Sequence, residues 1–220
     1  GILMGVISVI GKHNYNKIPE VVDHLIQLGI KRYHFNIGSI LSQKSSLILS
    51  TEDILQYYKD SLKSFLDTYT EACNWVLLGK LRRYISNSIP QFACDSPICS
   101  AGVHKIHLLP SGDFYPCGSC VNTEQGLLQN CLGNLFQLPS YEEYQQKMVN
   151  FHSEYFACRD KCQLCEAAVI CDFKCPAFDS IDIKTFENRC KGSQLFYEHL
   201  LTINKSLIEK LVTFYEDCHE

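Results

Sequence analysis

Residues 3–10, LMGVISVI, form an apolar, β-branched run of strand length, the pattern of a strand buried on both faces. After the polar stretch 11–16, Pro19 and Glu20 open a segment in which Val21, Val22, Leu25, Ile26 and Leu28 recur at helical spacing, and Gly29 closes it. In residues 30–37, Tyr33, Phe35 and Ile37 alternate with polar neighbours, which predicts a second strand. A strand–helix–strand unit of this kind implies a right-handed parallel crossover. Two strands alone bury too little surface. Because Gly1 stands directly before the first strand, the unit is expected to be the end of a larger α/β domain truncated ahead of it.

Residues 38–50 are Ser-rich and loop-like, and Ser50 or Thr51 is placed to cap a long amphipathic helix running to about residue 73. After a break at Gly79, residues 81–86 read as a short helix. From Cys94 onward cysteines and turns dominate. Residues 103–109 and 114–116 flank Pro110-Ser111-Gly112-Asp113, which predicts a β-hairpin with a glycine-containing turn. Residues 140–150 and 192–216 carry helical patterns, the second amphipathic. The expected organisation is an α/β unit at 1–48, a helical connector at 49–90, a cysteine-rich α+β domain at 91–192 and a C-terminal helix at 193–220.

Composition narrows the function classes. The chain has 220 residues, 46% of them hydrophobic and 20% charged, with a formal net charge of −4. Nucleic acid is therefore not expected as the main partner, because a phosphate-binding surface needs a basic footprint. Lys80, Arg82 and Arg83 form the one basic cluster, and a solvated helix face accounts for it. No apolar run approaches the roughly 20 residues that cross a bilayer. The apolar segment 2–10 lacks the basic flank and cleavage site of a signal peptide, so a cytoplasmic protein with no membrane partner is expected.

Thirteen cysteines change the picture: 73, 94, 99, 117, 120, 131, 158, 162, 165, 171, 175, 190 and 218. Such density means disulfides in a secreted protein and metal in a reducing cytosol. The count is odd, no export signal is visible, and a chain of this length builds a core without staples. Metal is the expectation. The strongest local pattern is Cys162-x2-Cys165-x5-Cys171-x3-Cys175-Pro176. Closely spaced thiolates followed by Cys-Pro suit a loop that wraps a cluster, the last cysteine serving a second cluster in two-cluster ferredoxins. Upstream, Cys99-x12-Gly112-x4-Cys117 is folded back by the hairpin, and downstream stands Cys190.

This seven-cysteine pattern resembles the SPASM domain, the C-terminal extension of radical S-adenosylmethionine enzymes such as anaerobic sulfatase-maturating enzymes and maturases of ribosomally made peptides. All seven positions are filled, and the short gaps match. Gly112-Asp113-Phe114-Tyr115-Pro116-Cys117 is similar to the family's glycine–aromatic–Pro-Cys element, and Gly133-Asn134-Leu135 to its Gly-Asn-aliphatic element. The N-terminal strand–helix–strand resembles the last strands of the family's partial TIM-like barrel. Similarity so read spans nearly the whole chain and is most specific over 94–190.

The resemblance implies two auxiliary [4Fe–4S] clusters. Cys99, Cys117 and Cys175 would hold the first with Cys94 as fourth ligand, a position for which Cys120 or a substrate competes. Cys162, Cys165, Cys171 and Cys190 would hold the second. It also implies a peptide or protein substrate, a reductant such as flavodoxin or ferredoxin, and electron transfer or substrate binding at the clusters. S-adenosylmethionine and a third [4Fe–4S] cluster belong to the complete enzyme. Cys158-x3-Cys162-x2-Cys165 imitates the spacing of that third cluster, but only 55 residues follow Cys165, against the roughly 150 that a barrel of βα units would need. The chain alone is thus expected not to cleave S-adenosylmethionine. Two departures point away from sulfatase maturation and towards a peptide maturase. Gly118 follows Cys117 where sulfatase-maturating members carry an aspartate, and Asp172-Phe173-Lys174 replaces glycines before the Cys-Pro. A ferredoxin-like electron carrier, a partner subunit working beside the half that generates the radical, and a structural zinc module would use the same thiolates without radical chemistry, and a Cys117-x2-Cys120 zinc knuckle would have to take Cys117 from the cluster. Cys73, on the long helix, and Cys131 read as buried small hydrophobes. His104 and His107 point to opposite faces of their strand.

Overall fold

The computed structural model describes residues 5–37, 48–87, 101–103, 105–121, 124–162, 164–171 and 183–217. The chain divides into two compact units, one of residues 1–90, 166–172 and 184–220, the other of residues 91–165 and 173–183.

The first unit is α/β. Strand β1 (Gly5–Ile10) and strand β2 (Arg32–Ile37) pair in parallel from Gly5↔Arg32 to Ile10↔Ile37, joined by helix α1 (Ile18–Gln27). Pro19 lies in the first turn of α1, and Gly29, at φ +74°, ends it with its N–H on the Ile26 carbonyl. The expected strand–helix–strand is present. Among the described residues, however, β1 pairs with β2 alone, and Ile7 and Val9 are more than half exposed where a buried strand was expected.

A third strand completes the sheet. Helix α2 (Thr51–Thr68) starts at Ser50, whose hydroxyl accepts the Asp53 N–H while the Asp53 carboxylate accepts the Ser50 N–H. This reciprocal box decides between the two candidate caps. The helix stops at Thr68, short of the expected residue 73. The Cys73 N–H reaches the Lys31 carbonyl at 2.9 Å, and β3 (Cys73–Asn74) pairs in parallel with β2. Cys73 is therefore a strand residue and not a helical one. Asn74 caps helix α3 (Trp75–Ser86) by accepting the Leu77 N–H, and Gly79 passes through that helix without breaking it. The sheet order is β1-β2-β3, and no barrel closes among the described residues.

Helix α6 (Ile183–Thr202) and helix α7 (Lys205–Asp217) replace the single C-terminal helix expected over 192–216. The break falls at Ile203–Asn204, where the Asn204 side chain accepts the Ser206 N–H. α6 lies close against α2. A Cβ on Gly192 would stand 2.5 Å from Ile54 Cγ2, and the rings of Tyr58 and Phe196 stack at 4.6 Å. α7 buries Ile208, Leu211, Val212 and Tyr215, and the Tyr215 hydroxyl donates to the carbonyls of Tyr69 and Ala72 just ahead of β3.

The second unit holds a small antiparallel sheet of β4 (His107–Leu108), β5 (Asp113–Tyr115) and β6 (Gly133–Asn134), in that order. The expected hairpin is β4–β5. β6 and the short helix α4 (Glu124–Gln129) had no clear periodic signal. Helix α5 (Tyr141–Cys162) runs well past the expected residue 150. Ala101, Phe114, Tyr115, Cys120, Leu132, Met148 and Phe151 form this unit's core.

Candidate metal centre

The cysteine-bearing loop of the second unit is built from the hairpin upward. Gly112 adopts φ +88° at the turn, where a Cβ would come within 2.7 Å of the Phe136 ring. Only glycine meets both demands. Asp113 then accepts hydrogen bonds from the Asn134 amide at 2.8 Å and the Ser111 hydroxyl at 2.7 Å, and these donors hold its carboxyl below the usual range. Phe114 faces Gly133 in register, and a Cβ on Gly133 would meet the Phe114 ring at 2.8 Å. The two glycine-containing elements singled out in the sequence, 112–117 and 133–135, are thus hydrogen-bonded neighbours.

β5 delivers Cys117 one residue past Pro116, at the head of a 3₁₀ turn (Gly118–Val121). The Cys120 N–H closes that turn on the Cys117 carbonyl at 3.1 Å, leaving the two sulfurs 3.8 Å apart. The adjoining Cys120 thiol, together with the nearby backbone N–H groups of Ser119 and Cys120, outweighs burial and holds the Cys117 thiol well below the ordinary range. Cys120 is fully buried in the core and Cys117 is half-buried. A half-buried sulfur in contact with a second cysteine sulfur fits iron–sulfur or zinc ligation.

The other expected ligands are placed less completely. Cys94, Cys99 and Cys175 lie outside the described residues. Cys162 ends α5, and the Cys165 N–H turns back onto the Cys162 carbonyl at 3.0 Å; both belong to the second unit. Cys171 and Cys190 belong to the first unit, so the set expected for the second cluster is divided between the two. Cys190 sits inside α6 rather than ahead of the final helix. Its neighbours pin that segment: the Asn188 amide donates to the Leu49 carbonyl at 3.0 Å, and the Arg189 guanidinium donates to the Ile37 carbonyl at 3.2 Å, at the C-terminal end of β2.

Cys171 is positioned by residues the sequence did not single out for that role. It follows a 3₁₀ turn (Glu166–Val169) whose last carbonyls take side-chain donors from α3. Lys80 Nζ donates to the Ile170 carbonyl at 2.9 Å, and Arg83 Nε to the Val169 carbonyl at 2.9 Å. Lys80 is 3% exposed, so the solvated-face reading of this basic cluster is corrected. Its charge caps a turn and lies 5.7 Å from the centre of the Tyr58 ring. The available signal was the (i, i+3) spacing of Lys80 and Arg83 on an otherwise apolar helix face.

Cys73 is buried, and burial pushes its thiol up, the behaviour of a packing residue. Cys131 is half-buried and directs its sulfur to the Gly133 carbonyl at 3.5 Å. No disulfide links the described cysteines. Among the described residues, no three His, Cys, Asp or Glu side chains converge closely enough to hold a metal ion, and no helix is long and apolar enough to cross a membrane. No protein-family model, curated protein or solved structure matches this chain.

Proposed function

We propose that this chain is the iron–sulfur-binding portion of a radical S-adenosylmethionine enzyme that modifies a peptide or protein, with two auxiliary clusters as its cofactors. Cys94, Cys99, Cys117 and Cys175 are the ligand set for one, and Cys162, Cys165, Cys171 and Cys190 for the other. The observation that carries the reading is the pair of Cys117 and Cys120 sulfurs, 3.8 Å apart on the turn that follows a glycine-shaped hairpin. The seven cysteines in SPASM-like register supply the remaining positions.

When bound, the clusters would pass electrons or offer an iron to substrate. The chain's own residues order the ligand loops. Asp113 and Asn134 hold the hairpin, Lys80 and Arg83 hold the turn before Cys171, and Asn188 and Arg189 hold the helix that carries Cys190.

Anaerobic reconstitution with iron and sulfide, followed by counting of iron, acid-labile sulfide and zinc, tests the proposal. Iron with matching labile sulfide is expected, about eight of each if both centres are [4Fe–4S]. A chain that takes up about two zinc ions and no labile sulfide is a structural zinc module, and the proposal fails.

A further inference from the structure

Cys117 and Cys120 are both thiols in this structure, and their sulfurs stand 3.8 Å apart. The hydrogen bond from the Cys120 N–H to the Cys117 carbonyl makes them the first and last residues of one tight turn. A turn of this kind holds its end Cα atoms within about 7 Å, and disulfides bridge Cα atoms about 4.4–6.8 Å apart. Bonding the two sulfurs therefore asks for side-chain rotation within the turn and not for movement between elements. Their exposures differ in the sense that exchange chemistry needs. Half-buried Cys117 meets an external disulfide first, while the fully buried Cys120 sulfur already lies against the atom it must attack next.

We infer that Cys117 and Cys120 form a reversible redox couple, closing to a disulfide when no metal holds Cys117. The oxidant is a small-molecule disulfide of the glutathione class. The Cys117 thiolate attacks one of its sulfurs, which breaks the small-molecule S–S bond, forms a mixed disulfide and releases one thiolate. The Cys120 sulfur then attacks the Cys117 sulfur, the protein disulfide forms, and the second small thiolate leaves. Two protein thiols are oxidised, one small-molecule disulfide is reduced to two thiols, and those thiols take the two protons.

The couple itself does not depend on the proposed function, but its effect on metal binding rests on that reading. A sulfur in a disulfide is no longer a thiolate ligand, so oxidation withholds Cys117 from its cluster and excess thiol returns it. Cys120 thereby gains a task that needs no place in the ligand set.

The full metal-free chain, reduced under anaerobic conditions and then treated with oxidised glutathione, tests the couple by mass spectrometry of proteolytic fragments. In wild type the first product expected is the bond between Cys117 and Cys120, reversed by excess reduced glutathione. With Cys120→Ala the reaction should stop at a glutathione adduct on Cys117. Cys131, whose sulfur turns instead to the Gly133 carbonyl at 3.5 Å, supplies the control: Cys131→Ser should leave the bond unchanged. A wild-type chain in which Cys117 keeps a stable adduct, stays unmodified, or pairs with another cysteine ahead of Cys120 overturns the inference. Because Cys120 is buried, circular dichroism and urea midpoints are taken for every variant. Cys120→Val, which keeps the core filled, replaces Cys120→Ala should that variant fail to fold.

Iron and labile sulfide are then counted after reconstitution of the oxidised chain. Roughly half the uptake of the reduced chain is expected, about four irons where both centres are [4Fe–4S], with the rest restored by reduction. Full uptake with the disulfide intact overturns the exclusion between bond and cluster. The couple and the proposed function fail separately. A chain that closes the bond yet takes up zinc and no sulfide keeps the couple and loses the function. A chain that builds both clusters and never closes the bond keeps the function and loses the couple.

Discussion

His152 stands for the residues whose burial, rather than their motif, sets their chemistry. It is 4% exposed, its Nε2 lies 3.3 Å from the Ala101 carbonyl, and its ring meets Phe151 edge-on. Burial outweighs that hydrogen bond and holds the imidazole below its ordinary range. The unfolded chain therefore takes up a proton at higher pH than the folded one does. Stability of the second unit should be complete above about pH 6.5 and decline as pH falls from there toward the lower folded value. His152→Gln, which keeps a donor for the carbonyl, should flatten that decline in urea midpoints measured across the window; an unchanged slope would remove His152 as its cause. In the sequence His152 is one of eight histidines and nothing separates it, because periodicity does not report depth of burial. Gly112 differs: a glycine between two short strands announces its turn whatever packs around it.

At the scale of elements, period and caps located most helices and strands, and tertiary contacts set their ends. α2 was legible from its buried stripe of Ile54, Tyr57, Tyr58, Leu62 and Phe65, yet its end at Thr68 follows from the bond of Cys73 to Lys31, remote in sequence. The two-residue strands β3 and β6 are too short to carry a period of their own. α3 illustrates the reverse error. Its basic residues looked solvated because charge suggests water, whereas the carbonyls of Val169 and Ile170 provide the partners that permit burial. Replacing Lys80 by Met keeps the stem and removes the donor. It should cost about 1.5–3 kcal/mol in urea unfolding, as for a hydrogen bond to a charged group. The same variant should raise the rate at which a thiol reagent modifies Cys171. A loss of stability with no change at Cys171 would show that Lys80 does not hold that turn.

For the whole molecule, the two units and the division of the cysteines between them matter most. Cys162 and Cys165 lie in one unit, Cys171 and Cys190 in the other. On the proposed function, thiolates ordered around metal couple binding to the stability of the fold. The reconstituted chain should melt above the metal-free chain and fall back when a chelator strips it. The gain is about 2.7 kcal/mol for a metal at a hundredfold excess over its dissociation constant. Equal melting temperatures with and without bound metal would detach the cysteines from the fold.

By itself the sequence determined the α/β opening, the Ser50 helix start, the hairpin at Gly112 and the cysteine spacing, because each depends on neighbours within a few residues. The tertiary structure alone decided that Ile7 and Val9 of β1 are exposed and that Cys73 joins a sheet. It also decided that Lys80 is buried and that the Cys117 and Cys120 sulfurs stand in contact. Each of these depends on how a turn closes or on which distant group arrives to pair with a strand, a charge or a sulfur, and chain-local patterns do not encode that arrival.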